Sequence, residues 1–451
     1  MPDSKPMDRR RFLKATLAGA GAACVGPVVV PASVLGGEGK APAGERITIG
    51  MIGMGRQAYK VNMKQLLGMP DVQIVAVCDV DSWRLANAKS AIEQHYGKAA
   101  IQGTYRGCEA YVDLNDVLAR DDIDAVMIST PDHWHIPMAI AAMEAGKDVS
   151  LEKPITRTIA EGRALSDAAA RLQRVFRVDS EFRSARGVHR AAELVRNGRI
   201  GEVHTVTVGV PGTDVGCPPQ PDMPVPSELD YERWQGPAPR AAYTEKRVHT
   251  PRSYNRPGWM RHLFYCDGMI TNWGTHLADG AMWCTGLERT GPVAVEGSGT
   301  YPPPESFWNV CLKFEVKYRF GSGVRWTYRT ERPYFKIEGT AGWIQADFRT
   351  VEAEPASILD SPIGPDEVRF RLKSDKRDFI DCVKAREETL EPAEVGHRVT
   401  SLCHLGHIAI QVGEELTWDA ERERFVGSAA ANELVDKPIH TPKHLDSGES
   451  R

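Results

Sequence analysis

A chain of 451 residues, 42% hydrophobic and 26% charged, has an ordinary soluble composition and length enough for two domains with large buried cores. A formal net charge of −4 gives no broad cationic surface for nucleic acid or anionic membrane. Nine cysteines without a C-x-x-C pair argue against a zinc ribbon, a thioredoxin-like site or a disulfide-dense scaffold, and Cys78, Cys311 and Cys403 stand in apolar contexts that suit small core residues.

At the N-terminus, Arg9-Arg10-Arg11-Phe12-Leu13-Lys14 precedes a mildly apolar, Gly-rich run from Ala15 to Val30. The run is too short and too Gly-rich for stable membrane insertion. It resembles a twin-arginine signal, which is read by an export machinery that carries folded proteins across the membrane. A basic tail without that role is the alternative. Residues 1–45 are accordingly read as signal and linker, with cleavage between Ala32 and Gly44, and the mature chain is expected to be extracytoplasmic or periplasmic.

Arg46 to Gly53 reads as a short apolar strand ending in glycines, and 54–69 as a helix. Val72 to Asp79 and Ile123 to Thr130 are near-continuous apolar runs of the kind found in parallel strands buried on both faces. Between and after them, 81–96 and 135–145 read as helices, the second closed by Gly146, and Asp148 to Leu151 is a further strand. This alternation predicts a doubly wound parallel sheet over 46–180. Beyond about residue 180 the strands lengthen and partly alternate, at 203–208, 308–318 and 324–330. They predict a second α/β domain over 181–451, with a large open, mostly antiparallel sheet and closing helices at 378–385 and 399–416. The Pro-, Arg- and Tyr-rich stretch 211–257 has little periodicity and is too long for a simple connection.

Gly53-Met54-Gly55-Arg56-Gln57-Ala58 follows a strand and opens a helix, the context that the G-x-G-x-x-A dinucleotide fingerprint requires. Gly53 permits the tight turn, Gly55 lets backbone approach a pyrophosphate, and the helix N-terminus favours the anion. Asp79 ends the next strand, where a carboxylate binds both ribose hydroxyls and repels a 2′-phosphate. The expected cofactor is therefore NAD in preference to NADP, although Arg56 offers a guanidinium to a phosphate.

Ser129-Thr130-Pro131-Asp132-His133-Trp134-His135, Glu152-Lys153-Pro154 and Asn272-Trp273-Gly274-Thr275-His276-Leu277-Ala278-Asp279, taken with the glycine turn, resemble the glucose–fructose oxidoreductase, inositol dehydrogenase and rhizopine-catabolism family, Gfo/Idh/MocA. The resemblance extends to Trp234-Gln235-Gly236-Pro237 and 379–384, and so spans nearly the whole mature chain. It implies an oxidoreductase that moves hydride between NAD(P) and a hydroxyl or ketone of a sugar or cyclitol. Lys153 would lie beside the nicotinamide and the substrate oxygen, with His276 as general acid/base. Thr130, Pro131, His135 and Glu152 would place the cofactor. Where many members carry aspartate, this chain has Asn272, which can orient the His276 ring but cannot stabilise an imidazolium. His276 as a buried structural histidine is the competing reading.

Arg183 is read as a substrate contact or an interface ion pair, and Asp279 as a helix cap, an arginine partner or a hydroxyl ligand. Tyr265 and Trp273 are read as a sugar-stacking wall or as core. His133 and His135 suit cofactor packing better than a metal, so no metal is expected. The family resemblance also implies homo-oligomers formed through the exposed sheet face. Export implies that NAD travels already bound and is regenerated in place. That keeps open a redox-neutral glycoside-cleaving lyase or hydrolase, and a non-catalytic sugar-binding protein.

Overall fold

The structure, a computed structural model, describes residues 42–101, 105–213 and 216–436; most of the expected export segment lies outside these residues. Among the described residues, no helix is long and apolar enough to cross a membrane.

The first sheet holds β1 (Ile47–Ile52), β2 (Val72–Cys78), β3 (Glu109–Tyr111), β4 (Ala125–Ile128), β5 (Asp148–Glu152) and β6 (Phe176–Asp179). All are parallel, in the order β3-β2-β1-β4-β5-β6. Apolar runs without alternation produce this sheet because both faces are covered: every residue of β4 and β5 is buried. The order reverses between β1 and β4, which opens a crevice at the carboxyl ends of the strands. The helix expected over 54–69 contains a π turn, Ala58–Asn62, before Met63–Leu67. Such turns are rare and frequently fall at functional sites. Here it ends on Asn62, which is fully buried.

The second sheet has nine strands: β7 (Val203–Val210), β8 (Pro292–Thr300), β9 (Lys313–Phe320), β10 (Arg325–Thr330), β11 (Tyr334–Gly339), β12 (Gly342–Ala346), β13 (Val351–Glu354), β14 (Leu416–Asp419) and β15 (Arg424–Val426). Their order is β13-β12-β11-β7-β10-β9-β8-β14-β15. All pairs are antiparallel except β7 with β10. One face packs on the helices Arg186–Arg196, Gly274–Thr285 and Ala393–Val412. On β9, buried Phe314, Val316, Tyr318 and Phe320 alternate with exposed Lys313, Glu315, Lys317 and Arg319, as a half-covered sheet requires.

Two expectations change. The strand read over 308–318 begins only at Lys313. Trp308 instead stacks on the Arg261 guanidinium and donates from Nε1 to the Lys246 carbonyl, which holds 308–311 outside the sheet. The closing helix Asp375–Ala385 returns to the first domain. Its Phe379, Ile380 and Val383 pack with Ile49, Met51 and Ile74, and Arg377 and Lys384 both pair with Asp71. The apolar stripe on this helix thus completes the cluster on one face of the parallel sheet, although the helix comes late in the chain.

Candidate active site

A cleft of about 760 Å³ runs along the carboxyl ends of the parallel strands and under residues of the second domain. Its floor is the glycine turn. Gly53 has φ of +81°, and a Cβ there would meet the Thr130 methyl at 2.8 Å and the Ser129 backbone at 2.9 Å. A Cβ on Gly55 would meet only the end of Arg84, at 3.4 Å, so its bare backbone faces the cleft. The turn therefore offers the uncovered backbone at a helix N-terminus that a pyrophosphate needs, and the residues present fit a dinucleotide. Asp79 lines the cleft, and its carboxylate accepts from the backbone N–H groups of Met54 (2.6 Å) and Asp81 (2.8 Å). The Met54 side chain packs in the core and does not line the cleft; its N–H braces Asp79. Arg56 and Gln57 line the cleft beside the turn.

Lys153 follows β5, and Lys153 Nζ donates to the backbone carbonyl of Asn272 at 3.0 Å. That carbonyl is free to accept because the Met269–Asn272 helix ends there, before Gly274–Thr285 begins. His276, on the second helix, comes from a different domain and a distant part of the chain. Ser180 Oγ meets His276 Nδ1 at 3.1 Å. The hydroxyl of Ser180, from the end of β6, is thus the group that hydrogen-bonds and orients the ring. Burial, with help from Lys153, pushes the His276 pKa well below the usual histidine range, which leaves a neutral imidazole able to accept a proton. Burial also pulls the Lys153 pKa down, while Glu152, Asp132, Glu181 and Asp179 draw it up.

Behind these groups lies a buried polar hub. Asn62 Nδ2 is within hydrogen-bonding reach of Glu152 Oε1 (2.8 Å), Asp179 Oδ2 (2.9 Å) and Ser129 Oγ (3.2 Å), linking the ends of three parallel strands. Lys376, from the returning helix, pairs with Asp179 at 2.6 Å. These contacts hold Glu152 and the backbone before Lys153 in place.

Thr130, Pro131, Glu152, Lys153, Asn272 and His276 all line the cleft. Three other candidates lie away from the cleft. His135 lies behind the wall, its ring nitrogens 2.8 Å from the Pro154 carbonyl and 3.0 Å from the Thr130 carbonyl, so it props the cofactor wall without touching the cleft. Arg183 and Asp279 bind each other, with both Asp279 oxygens 2.9 Å from Arg183 Nε. Both side chains are buried away from the cleft, with Arg183 over the Trp283 ring. A buried guanidinium needs a carboxylate, and each satisfies the other, which is the ion-pair reading of Arg183 and the arginine-partner reading of Asp279. Tyr265 is core, packed on Trp234 and His133, whereas Trp273 does line the cleft, with Phe348 at 6.0 Å.

Sequence reasoning missed Glu181, Asp179, Phe348 and the residues 254–260 that line the cleft. Glu181 Oε1 is buried without a hydrogen-bond partner, and burial raises the Glu181 pKa. The signal for Glu181 was its place two residues beyond the end of a parallel strand, where such sites collect. Phe348 had no signal, because tertiary folding brings it against His276 at 5.5 Å.

A glycine turn built for a dinucleotide, facing a lysine and a neutral histidine at the mouth of a second domain, defines a two-domain nicotinamide-dependent oxidoreductase. The chain belongs to the Gfo/Idh/MocA oxidoreductase family: residues 47–180 match its NAD-binding Rossmann fold and 165–445 its C-terminal alpha/beta domain. It is 34% identical over 206 residues to glycosyl hydrolase family 109 protein 2 of Shewanella sp. (strain ANA-3), covering 44% of each chain. It is also 34% identical over 164 residues to a glycosyl hydrolase family 109 protein of Shewanella baltica (strain OS155), covering 36% of this chain and 34% of that one. The matches thus span less than half the length of these curated relatives. Among solved structures, the aldose-aldose oxidoreductase from Caulobacter crescentus, complexed with glycerol, superposes with a TM-score of 0.58 at 19% identity, covering 82% of this chain and 99% of that one. The WlbA dehydrogenase from Bordetella pertussis, in complex with NADH and UDP-GlcNAcA, superposes at 0.60 and 17%, covering 83% and 99%. At these identities the likeness shows the shared fold.

Proposed function

We propose that this protein oxidises a CH–OH group of a sugar or cyclitol, with NAD as the hydride acceptor. The observation that carries this reading is that Lys153 and His276, from different domains, line the same cleft whose floor is the glycine turn, near enough for the lysine's charge to act on the ring. NAD, when bound, supplies the carbon that takes up hydride. His276, as neutral imidazole, receives the hydroxyl proton, and the Lys153 ammonium stabilises the developing alkoxide. Trp273 and Phe348 offer apolar walls to a sugar face. Glu152, Asp179 and Asn62 fix the lysine's backbone, so the groups are ordered before substrate arrives.

A second reading, redox-neutral cleavage of a glycoside through a transient keto-sugar, is favoured by Glu181. It adds a third proton-carrying group to the same cleft. The named function of the glycosyl hydrolase relatives points the same way. This reading also suits the proposed twin-arginine export to an extracytoplasmic space, where NAD must be regenerated in place. Homo-oligomers through the open sheet face remain part of the proposal.

The test is a panel of free sugars, cyclitols and aryl glycosides supplied to NAD-loaded protein. NADH formation with a free sugar or cyclitol supports the first reading. Glycoside cleavage without net NADH supports the second. Tight sugar binding with no turnover in either assay overturns both in favour of a sugar-binding protein.

A further inference from the structure

The stretch 211–257, which has no periodicity to explain it, leaves the second domain and is tied to the first at several independent points. Backbone ties come first. Ser82 N–H donates to the Glu228 carbonyl at 2.8 Å and Asp230 N–H to the Val80 carbonyl at 2.9 Å, with a bridge between Asp81 and Leu229. Arg233 pairs with Asp113 at 3.1 Å. The third tie is buried: His249 Nε2 meets Asp81 Oδ2 at 3.0 Å, with both side chains almost wholly out of solvent. The fourth is aromatic. The Tyr254 ring stacks on Tyr59 at 4.4 Å and 5°, with Trp83 at 5.1 Å and the Arg84 guanidinium 5.9 Å from the ring centre. Arg84 Nη2 donates to the Ser253 carbonyl at 3.4 Å.

Every anchor on the first domain lies close to the cofactor fingerprint in sequence or in space. Val80 to Arg84 directly follow Asp79, the ribose-binding position. Tyr59 lies on the helix that starts at the glycine turn, and Asp113 lines the same cleft. His249, Tyr254 and Pro257 line it from the other side. The segment and the loop after Asp79 thus line the same cleft as the Gly53–Gly55 turn.

We propose that residues 228–257 form a strap that holds NAD in place through successive turnovers, with the Tyr59–Tyr254 stack and the Asp81–His249 hydrogen bond as its latches. Lifting the strap exposes a stacked aromatic pair and breaks the buried hydrogen bond between Asp81 and His249, so opening is slow compared with release from an uncovered cleft. The proposal rests on NAD binding, not on the choice of substrate.

The experiment is exchange of bound cofactor. The purified full-length folded chain is loaded with NAD, mixed with an excess of isotopically labelled NAD, and sampled over time by gel filtration and mass spectrometry of the denatured protein. Retention of the original NAD on the order of hours is expected, with release at least about tenfold faster in Tyr254→Ala and unchanged in Tyr254→Phe, which keeps the stack. Complete exchange within seconds in the parent chain, or equal rates in parent and Tyr254→Ala, would overturn the strap. If Tyr254→Ala does not fold, amide hydrogen exchange of the NAD-loaded parent decides. Amides of 245–257 opening no faster than NAD leaves support the strap; opening in seconds while NAD is retained overturns it. A chain that binds no NAD at all sinks cofactor binding itself, an outcome distinct from fast exchange.

Discussion

Ser180 Oγ lies 3.1 Å from His276 Nδ1, so the end of the last parallel strand, not a neighbour on its own helix, sets the ring's orientation. Ser180→Ala is expected to lower kcat about tenfold with little change in KM, because the ring loses its orienting hydrogen bond while the substrate walls stay intact. The check is steady-state kinetics on whichever sugar the panel identifies.

The His276 pKa lies well below 6.5, so the active, neutral form persists through mildly acidic pH and is lost only as pH falls through that depressed value. Asn272→Asp places a carboxylate beside Lys153 and the first turn of the His276 helix. It favours imidazolium, raises the His276 pKa and moves the acidic limb of the pH–rate profile to higher pH. An unmoved limb would remove position 272 from proton transfer.

Gly53 and Gly55 predict different failures. Gly53→Ala forces a side chain into the left-handed region against Thr130 and Ser129, and costs about 1–3 kcal/mol of stability by denaturant unfolding. Gly55→Ala meets little protein, so the chain folds normally and NAD binding weakens by about tenfold, because the added methyl group stands where the pyrophosphate approaches. Isothermal titration alongside thermal melts separates the two.

Arg183→Met leaves Asp279 buried without its partner and costs about 3–5 kcal/mol. Under conditions where the variant remains folded, KM is expected to match the parent. A large rise in KM with unchanged stability would return Arg183 to the substrate site.

Glu181→Gln keeps the shape of the cleft and removes a titrating carboxyl whose pKa burial raises. Under the redox-neutral reading it abolishes glycoside cleavage while reduction of bound NAD by substrate persists, followed in single turnovers by NADH absorbance. Equal loss of both steps would assign Glu181 to positioning.

The amino-acid sequence by itself determined the parallel sheet, the glycine turn and Asp79. Each depends on local pattern: apolar runs with no alternation, a glycine turn between strand and helix, and an acid at a strand end. It also supplied Lys153 and His276, through the likeness of the surrounding motifs. Tertiary structure alone decided what these residues touch. It paired Arg183 with Asp279 because a buried charge needs its opposite. It turned His135 into a prop behind Thr130 and Pro154, and it brought the carbonyl of Asn272, not its side chain, to Lys153. It sent the Asp375–Ala385 helix back across the chain to cover the first sheet. It also laid 228–257 across the cofactor cleft, through stacking and hydrogen bonds between residues far apart in sequence, which no local periodicity records.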